Sequence, residues 1–444
     1  MFSLARKNHL ARNLTRLQKT FPNDYNFFPK TWLLPAEFSD FIRQFNVPSK
    51  VNPKQKKNPV FIAKPEASCQ GRGIFLSRSL DDFDPQEHYV VQKYLTKPFL
   101  IDDLKFDLRI YVLVSGISPM RIWIYKEGLC RMATEPYVTP NGANLDNLFM
   151  HLTNYAINKK SDKFEYNEDC ERDDVGHKRS YTYVLKYLQE QGVDTAKLEH
   201  SIERVIIKTL CSVQPSIAHV YKSCQPDDLE NQMCFEVLGF DVILDHKLRP
   251  LILEVNHTPS FTADTPLDHK IKKGVIADAI HLLNLSVRRK NKFKLQKKQE
   301  FQKRVISGKH QRLTNEEREL LRKEKDRKRL AWEKKNMGDY VLAYPCESKE
   351  EMLEYDRFMA QAKVIFEEFT GAKKRPVDDE EEKAKAQSKS ASMTSPLSNK
   401  AVATPSAKSS SKFQGAHISR RKRRFAPEQQ LRRGLCQRQH AVGH

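Results

Sequence analysis

FEVLGFDVIL (residues 235–244) and LILEVN (residues 251–256) set three oxygen donors, Asp241, Glu254 and Asn256, inside two apolar, strand-forming runs joined by the turn sequence DHKLRP. Alternation along a strand puts Glu254 and Asn256 on one face. Asp241 on the neighbouring strand completes an all-oxygen set of the kind that holds a hard cation such as magnesium. Two ordinary half-buried strands with acidic residues turned to solvent are the alternative. Against that stands the cost of carboxylates at the centre of apolar strands.

Upstream, KFDLRIYV (105–112) alternates Lys105, Asp107 and Arg109 onto one face and Phe106, Leu108 and Ile110 onto the other. A lysine serves phosphate as a point charge, and the arginine fork suits a carboxylate or a developing acyl phosphate. A solvated sheet face is the plainer alternative. FIAKPEASCQGRGIFL (61–76) ends a strand at Lys64 and carries Gly71 and Gly73 before the next one. Such glycines let backbone amides approach phosphate, but the spacing matches no established phosphate loop, and a hairpin turn explains it alone. PVFIAKP, HYVVQKYL, FDLRIYVLVSGI and MRIWIYKE also read as strands, and YTYVLKYLQEQG and IERVIIKTLCSVQPSIAHVY as helices. The class is α/β (α+β), with two lobes enclosing a cleft.

The chain has 444 residues, room for one catalytic domain with extensions, since single cores stop growing near about 250–300 residues. Lys and Arg total 77 against 56 Asp and Glu, a formal charge of +21. Such a field attracts polyanions: nucleic acid, a membrane surface or an acidic protein. No run of about 20 apolar residues and no signal sequence is visible, so the expectation is an intracellular protein with no membrane span. The eight cysteines have no paired spacing, and reduced thiols without a structural metal are expected. After Leu285 come two very basic helices, the second opened by a Thr314–Glu317 capping box and closed near Gly338. Beyond about Lys373, composition predicts disorder.

NFFPKTWLLP, KPEASCQGRGI, QKYL, KFDLRIYV, YKEGLCR, HLTNYAINK and FEVLGFDVILDHKLRPLILEVNHTPSF occur in that order. Together they resemble the tubulin tyrosine ligase-like enzymes, from near the first residues to about Pro345. Within that family the ending LEVNHTPSF is similar to the LEVNHSPSF of chain-elongating polyglutamylases. The resemblance implies an ATP-grasp fold, two lobes clamping ATP between antiparallel sheets, with a basic helical C-terminal extension. It implies ATP-binding roles for Lys64, Gln70, Gly71, Gln92, Lys93, Tyr94, Leu95, Lys105, Phe106, Asp107, Thr153 and Asn154. Asp241, Glu254 and Asn256 would bind Mg2+, and Arg131, Tyr155, Lys178 and His257 would meet free L-glutamate. Arg109 and Lys105 would be catalytic, Arg109 by stabilising an acyl phosphate.

The domains expected on this basis are a truncated N-terminal lobe and connecting segment (1–57), the ATP-grasp core (58–285), a basic helical microtubule-binding extension (286–370) and a disordered basic tail (371–444). Ala156 departs from the serine common in relatives, and little sequence precedes NFFPKTW, so much of the usual amino-terminal lobe is expected to be absent. The implied activity is ATP-dependent polyglutamylation of tubulin tails by a monomer in the cytoplasm and cytoskeleton, at the ciliary axoneme or basal body. Glycine or tyrosine as donor, or a silent microtubule binder, are the competing readings. Arg131 and Lys178 favour an anionic donor, and no aromatic-rich RNA-binding motif supports nucleic acid as partner.

Overall fold

Strand β1 (Thr31–Leu33), β2 (Phe61–Pro65), β3 (Phe75–Ser77) and β4 (Tyr89–Lys93) form an antiparallel sheet in the order β1-β4-β2-β3. The second sheet runs β10-β9-β6-β7-β11 and is built on the long hairpin β6 (Leu104–Ile117) and β7 (Met120–Met132). Its other members are β9 (Glu236–Leu244), β10 (Pro250–Asn256) and β11 (Tyr340–Tyr344), with β5 (Leu100–Ile101) on β6 and β8 (Lys178–Ser180) on β7. All these pairings are antiparallel. The structure is a computed structural model and describes residues 1–45, 59–66, 71–169, 172, 174–226, 228, 233–307 and 314–371. The tail expected to be disordered therefore lies outside the described residues, apart from Gly371.

The two faces of β6 explain the layers. Phe106, Leu108, Ile110, Val112 and Val114 enter the main core, which also takes Ile202, Ile206 and Leu210 of the helix Thr195–Cys211. On the opposite face Lys105, Asp107 and Arg109 form the charged end. Further along, Tyr111 and Leu113 join a second core with Trp123 and Tyr125, covered by Leu267, Ile271 and Val275 of the helix Pro266–Leu282. One face thus passes from charged to apolar, and the helix covers only the apolar end.

Register in β10 shifts between Ile252 and Glu254, because Leu253 is an extra residue opposite β9. Ile252 pairs with Val242 and enters the main core, whereas Glu254 pairs with Asp241. Strict alternation would have sent Ile252 and Glu254 to the same face.

The stretch read as one helix over 202–221 is two, Thr195–Cys211 and Gln214–Cys224. Pro215 in the first turn of the second lacks the amide that continuation would use. The first 45 residues are integrated with the rest. Leu10, Leu14 and Leu17 of the helix Lys7–Thr20 enter the main core, and β1 belongs to the small sheet.

The segment 286–370 is not uniform. Every residue of the helix Val287–Ser307 whose exposure is described is exposed. The helix Asn315–Asn336 starts at the Thr314–Glu317 capping box and docks near its end: Glu333 pairs with buried Arg121, and Trp332 Nε1 donates to His281 O at 2.9 Å. Beyond it, β11 joins the large sheet, and Tyr355 and Phe358 of the helix Lys349–Thr370 enter the main core. No described helix is long and apolar enough to cross a membrane.

Candidate functional site

Between β2 and β4 of the small sheet and β6, β9 and β10 of the large one lies a cavity of about 70 Å³. Its lining includes Lys64, Gln92, Lys93, Tyr94, Leu95, Lys105, Asp107, Thr153 and Asn154, together with Asp241 and Glu254. Lys64 Nζ donates to Gln92 Oε1 at 2.7 Å, and Gln92 Nε2 to Thr31 Oγ1 at 3.1 Å. Lys105 Nζ donates to Tyr94 Oη at 2.8 Å and to His151 O at 2.6 Å. Burial lowers the pKa of both lysines, Lys105 to about 7. A bound polyanion would raise both pKa values again. Burial, reinforced by the charge of Lys105, lowers His151 to about 4, so its neutral ring serves the frame, with Nε2 2.9 Å from Asn144 O.

Phe106 differs from its neighbours on β6, for its side chain lies in the main core. Only its backbone can serve a ligand here. Gln70 lies outside the described residues. Gly71, at φ +79°, takes a conformation that L-residues rarely adopt, and a Cβ there would collide with Ile157.

Cross-strand register carries an ionised row away from this cavity. Arg109 pairs with Asp241 and Asp241 with Glu254; in the adjoining row Asp107 pairs with Arg131 and Arg131 with Lys178. Arg109 Nη2 donates to Asp241 Oδ2 at 3.0 Å, while Arg131 Nε donates to Asp107 Oδ1 at 2.8 Å and its Nη2 stands 2.9 Å from Asp241 Oδ2. Lys105, Asp107 and Asp241 are only 6, 2 and 2% exposed. The charged face of β6 is therefore buried, not solvated, and alternating sign makes that tolerable.

Burial opposes charge on both Arg131 and Asp241. In Arg131 the Asp107 and Asp241 carboxylates overcome it and raise the pKa, and in Asp241 the two arginines overcome it and lower the pKa. Asp107 is raised by burial despite Arg131. Glu254 is raised by burial and then by the charge of Asp241. Asn256 Nδ2 lies 3.4 Å from Gly239 O, from Asp241 Oδ2 and from Glu254 Oε1, so the three donors converge. Among the described residues no cluster of three His, Cys, Asp or Glu occurs. Two carboxylates with the Asn256 amide as third ligand still fit a hard divalent ion, whose charge would relieve the Asp241–Glu254 repulsion.

A larger cavity of about 1250 Å³ adjoins, lined by Gly71, Arg72, Arg109, Arg131, Lys159, Lys160, Tyr155, Lys178 and Lys272 among others. Lys178 Nζ stands 3.7 Å from the centre of the Tyr155 ring and donates to Asp268 Oδ2 at 2.5 Å. Burial, then Asp264, raises the Tyr155 phenol. His257 is not among the lining residues. It follows the last residue of β10, and its ring packs edge-on against Phe2 at 5.0 Å. Thr258, hydrogen-bonded to His257 Nδ1, does line the cavity. Sequence reasoning missed Tyr111 and Asp268, which line the same cavity. Tyr111 continues the alternation of Lys105, Asp107 and Arg109, and Asp268 sits in the first turn behind the Thr265 N-cap, so both left a signal.

Residues 1–292 match the family model for the tubulin-tyrosine ligase family. The chain is 55% identical over 372 residues to a probable beta-tubulin polyglutamylase of Tetrahymena thermophila, covering 84% of this chain and 30% of that protein. It is 40% identical over 375 residues to a tubulin polyglutamylase of Danio rerio, with 84 and 46% covered. With a tubulin polyglutamylase of Mus musculus it shares 42% over 379 residues, with 84 and 45% covered. The chain thus spans less than half the length of these curated relatives.

Proposed function

The chain belongs to the tubulin-tyrosine ligase family, and on that premise we propose that it is an ATP-dependent ligase adding free L-glutamate to glutamate side chains or chains on tubulin tails. The observation that carries this reading is the buried row of ion pairs joining a small cleft between the two sheets to a large cation-lined cavity. ATP would lie between the sheets, its phosphates near Lys64 and Lys105. The acceptor carboxylate would attack the γ-phosphorus of ATP, giving an acyl phosphate and releasing ADP. The amine of glutamate then attacks its carbonyl and phosphate leaves. Arg109 would neutralise the developing charge, and Arg131, Tyr155 and Lys178 would hold the donor. Magnesium, held by Asp241, Glu254 and Asn256, would supply charge neutralisation at the phosphates.

The three relatives are described as tubulin polyglutamylases, which supports tubulin as acceptor and a place on the cytoskeleton, with the cilium as the finer proposal. Glycine carries one carboxylate and glutamate two, so a cavity offering both Arg131 and Lys178 favours glutamate. The test is mass spectrometry of tubulin incubated with ATP, magnesium and each of glutamate, glycine and tyrosine. Mass increments from glutamate alone are expected. Increments from another amino acid, or from none, reject the assignment.

The depressed Lys105 gives a pH prediction. Its folded pKa of about 7 lies below the ordinary 10.5, so the unfolded chain binds more protons between those values and this group's contribution to stability rises with pH there. A nucleotide would do the reverse and restore the proton. ATP affinity is expected to weaken as pH rises above about 7, with proton uptake visible in calorimetry across buffers of different ionisation enthalpy. Affinity constant from pH 6 to 9 would contradict this.

The exposed basic helices are proposed to meet the acidic microtubule surface, an attraction screened over about 8 Å at physiological salt. Reversing Lys323, Lys325, Arg327 and Lys328 is expected to lower modification of microtubules, and binding in co-sedimentation, while sparing a short tail peptide. Equal losses on both substrates would assign these residues to the fold instead.

A further inference from the structure

Tyr111 is 0% exposed, yet its Oη has no hydrogen-bond partner among the described residues. A buried hydroxyl left unmatched is costly, and this one borders the large cavity. The backbone sets it there. Register between β6 and β7 shifts from Ile110–Gly128 to Val112–Ile124, leaving Tyr111 without a partner on β7, while the regular ladder to β9 keeps it on the face of Arg109. On the other side Tyr111 pairs with Gly239, and its ring stacks on Phe261 with centroids 6.2 Å apart. Burial, opposed by Arg109 and reinforced by Asp268, pushes the phenol up to about 12, so it stays neutral.

Asp268 borders the same cavity and is also fully buried. Its Oδ2 is taken by Lys178, whereas Lys272 Nζ stands 2.9 Å from Oδ1 but out of hydrogen-bonding alignment. Free glutamate carries two carboxylates and one ammonium. Arg131 and Lys178 suit the carboxylates; the ammonium needs acceptors. We propose that Tyr111 Oη and Asp268 Oδ1 together receive the ammonium group of the incoming amino acid. This deepens the reading of glutamate as donor and rests on it.

The test is titration calorimetry of the whole chain, loaded with magnesium and a non-hydrolysable ATP analogue. The ligands are glutamate and glutarate, which has the same two carboxylates and no ammonium. The parent is expected to prefer glutamate. Tyr111→Phe keeps the stacked ring and removes an unmatched hydroxyl, so melting should hold or rise. It should weaken glutamate about tenfold, the scale of one hydrogen bond to a charged group, and leave glutarate unchanged. Asp268→Asn, which also frees Lys178, should weaken glutamate while strengthening glutarate. If the parent binds glutamate and Tyr111→Phe binds it equally well, or loses both ligands alike, the inference is overturned alone. A parent that binds neither dicarboxylate overturns the donor reading and the inference with it.

Discussion

Glu254→Gln is expected to lower ligation by about 10³-fold, since several kcal/mol of charge stabilisation at tenfold per about 1.4 kcal/mol would be lost with the metal ligand. The fold should not suffer. Burial and the neighbouring Asp241 both disfavour the Glu254 carboxylate and raise its pKa. A carboxyl raised on folding contributes less stability as pH rises through its ordinary range, so the neutral amide should be at least as stable near pH 7. Thermal melting beside a turnover assay checks both halves. Near-parental turnover with unchanged melting would reject Glu254 as a magnesium ligand.

Arg131→Ala carries the second large effect, and here the expected loss is of stability. The guanidinium spans Asp107 and Asp241, whose side chains are 4 and 2% exposed. Its removal leaves Asp107 a buried carboxylate without that partner, facing a second one. Breaking a buried pair from one side costs about 3–5 kcal/mol, or roughly 10 °C in melting temperature for a domain of a few hundred residues. Asp107→Asn in the same chain is expected to restore part of that loss. Unchanged melting with weakened glutamate binding would mean that Arg131 serves the ligand and that the ion pairs are dispensable.

The strands of the site were legible because each carries its own signal. The alternation in KFDLRIYV and the donors in FEVLGFDVIL and LILEVN are local facts, and the structure brings Asp241, Glu254 and Asn256 together. Cross-strand partners were not legible. That Arg131 meets Asp107 and Asp241, or that Lys178 meets Asp268, depends on register between segments far apart in sequence. The same holds for the packing of His257 against Phe2. The basic composition of 286–335 also obscured the apolar pattern of residues 340–358. Tyr340, Tyr344, Tyr355 and Phe358 belong to a strand and a helix face that close the main core and the second core.

The extra residue in β10 has a consequence of a different kind. Were the bulge flattened so that Leu253 paired with Asp241, Glu254 would take the next position along the ladder, opposite Phe240, and its carboxylate would turn into the main core. The placement of this carboxylate therefore depends on how the bulge takes up the extra residue more than on that residue's identity. Exchange of Leu253 for another apolar residue changes only local packing, and its deletion would leave Glu254 beside Ile252 and still opposite Asp241, whereas one residue more taken up in the ladder between Ile252 and Glu254 would turn the carboxylate into the core.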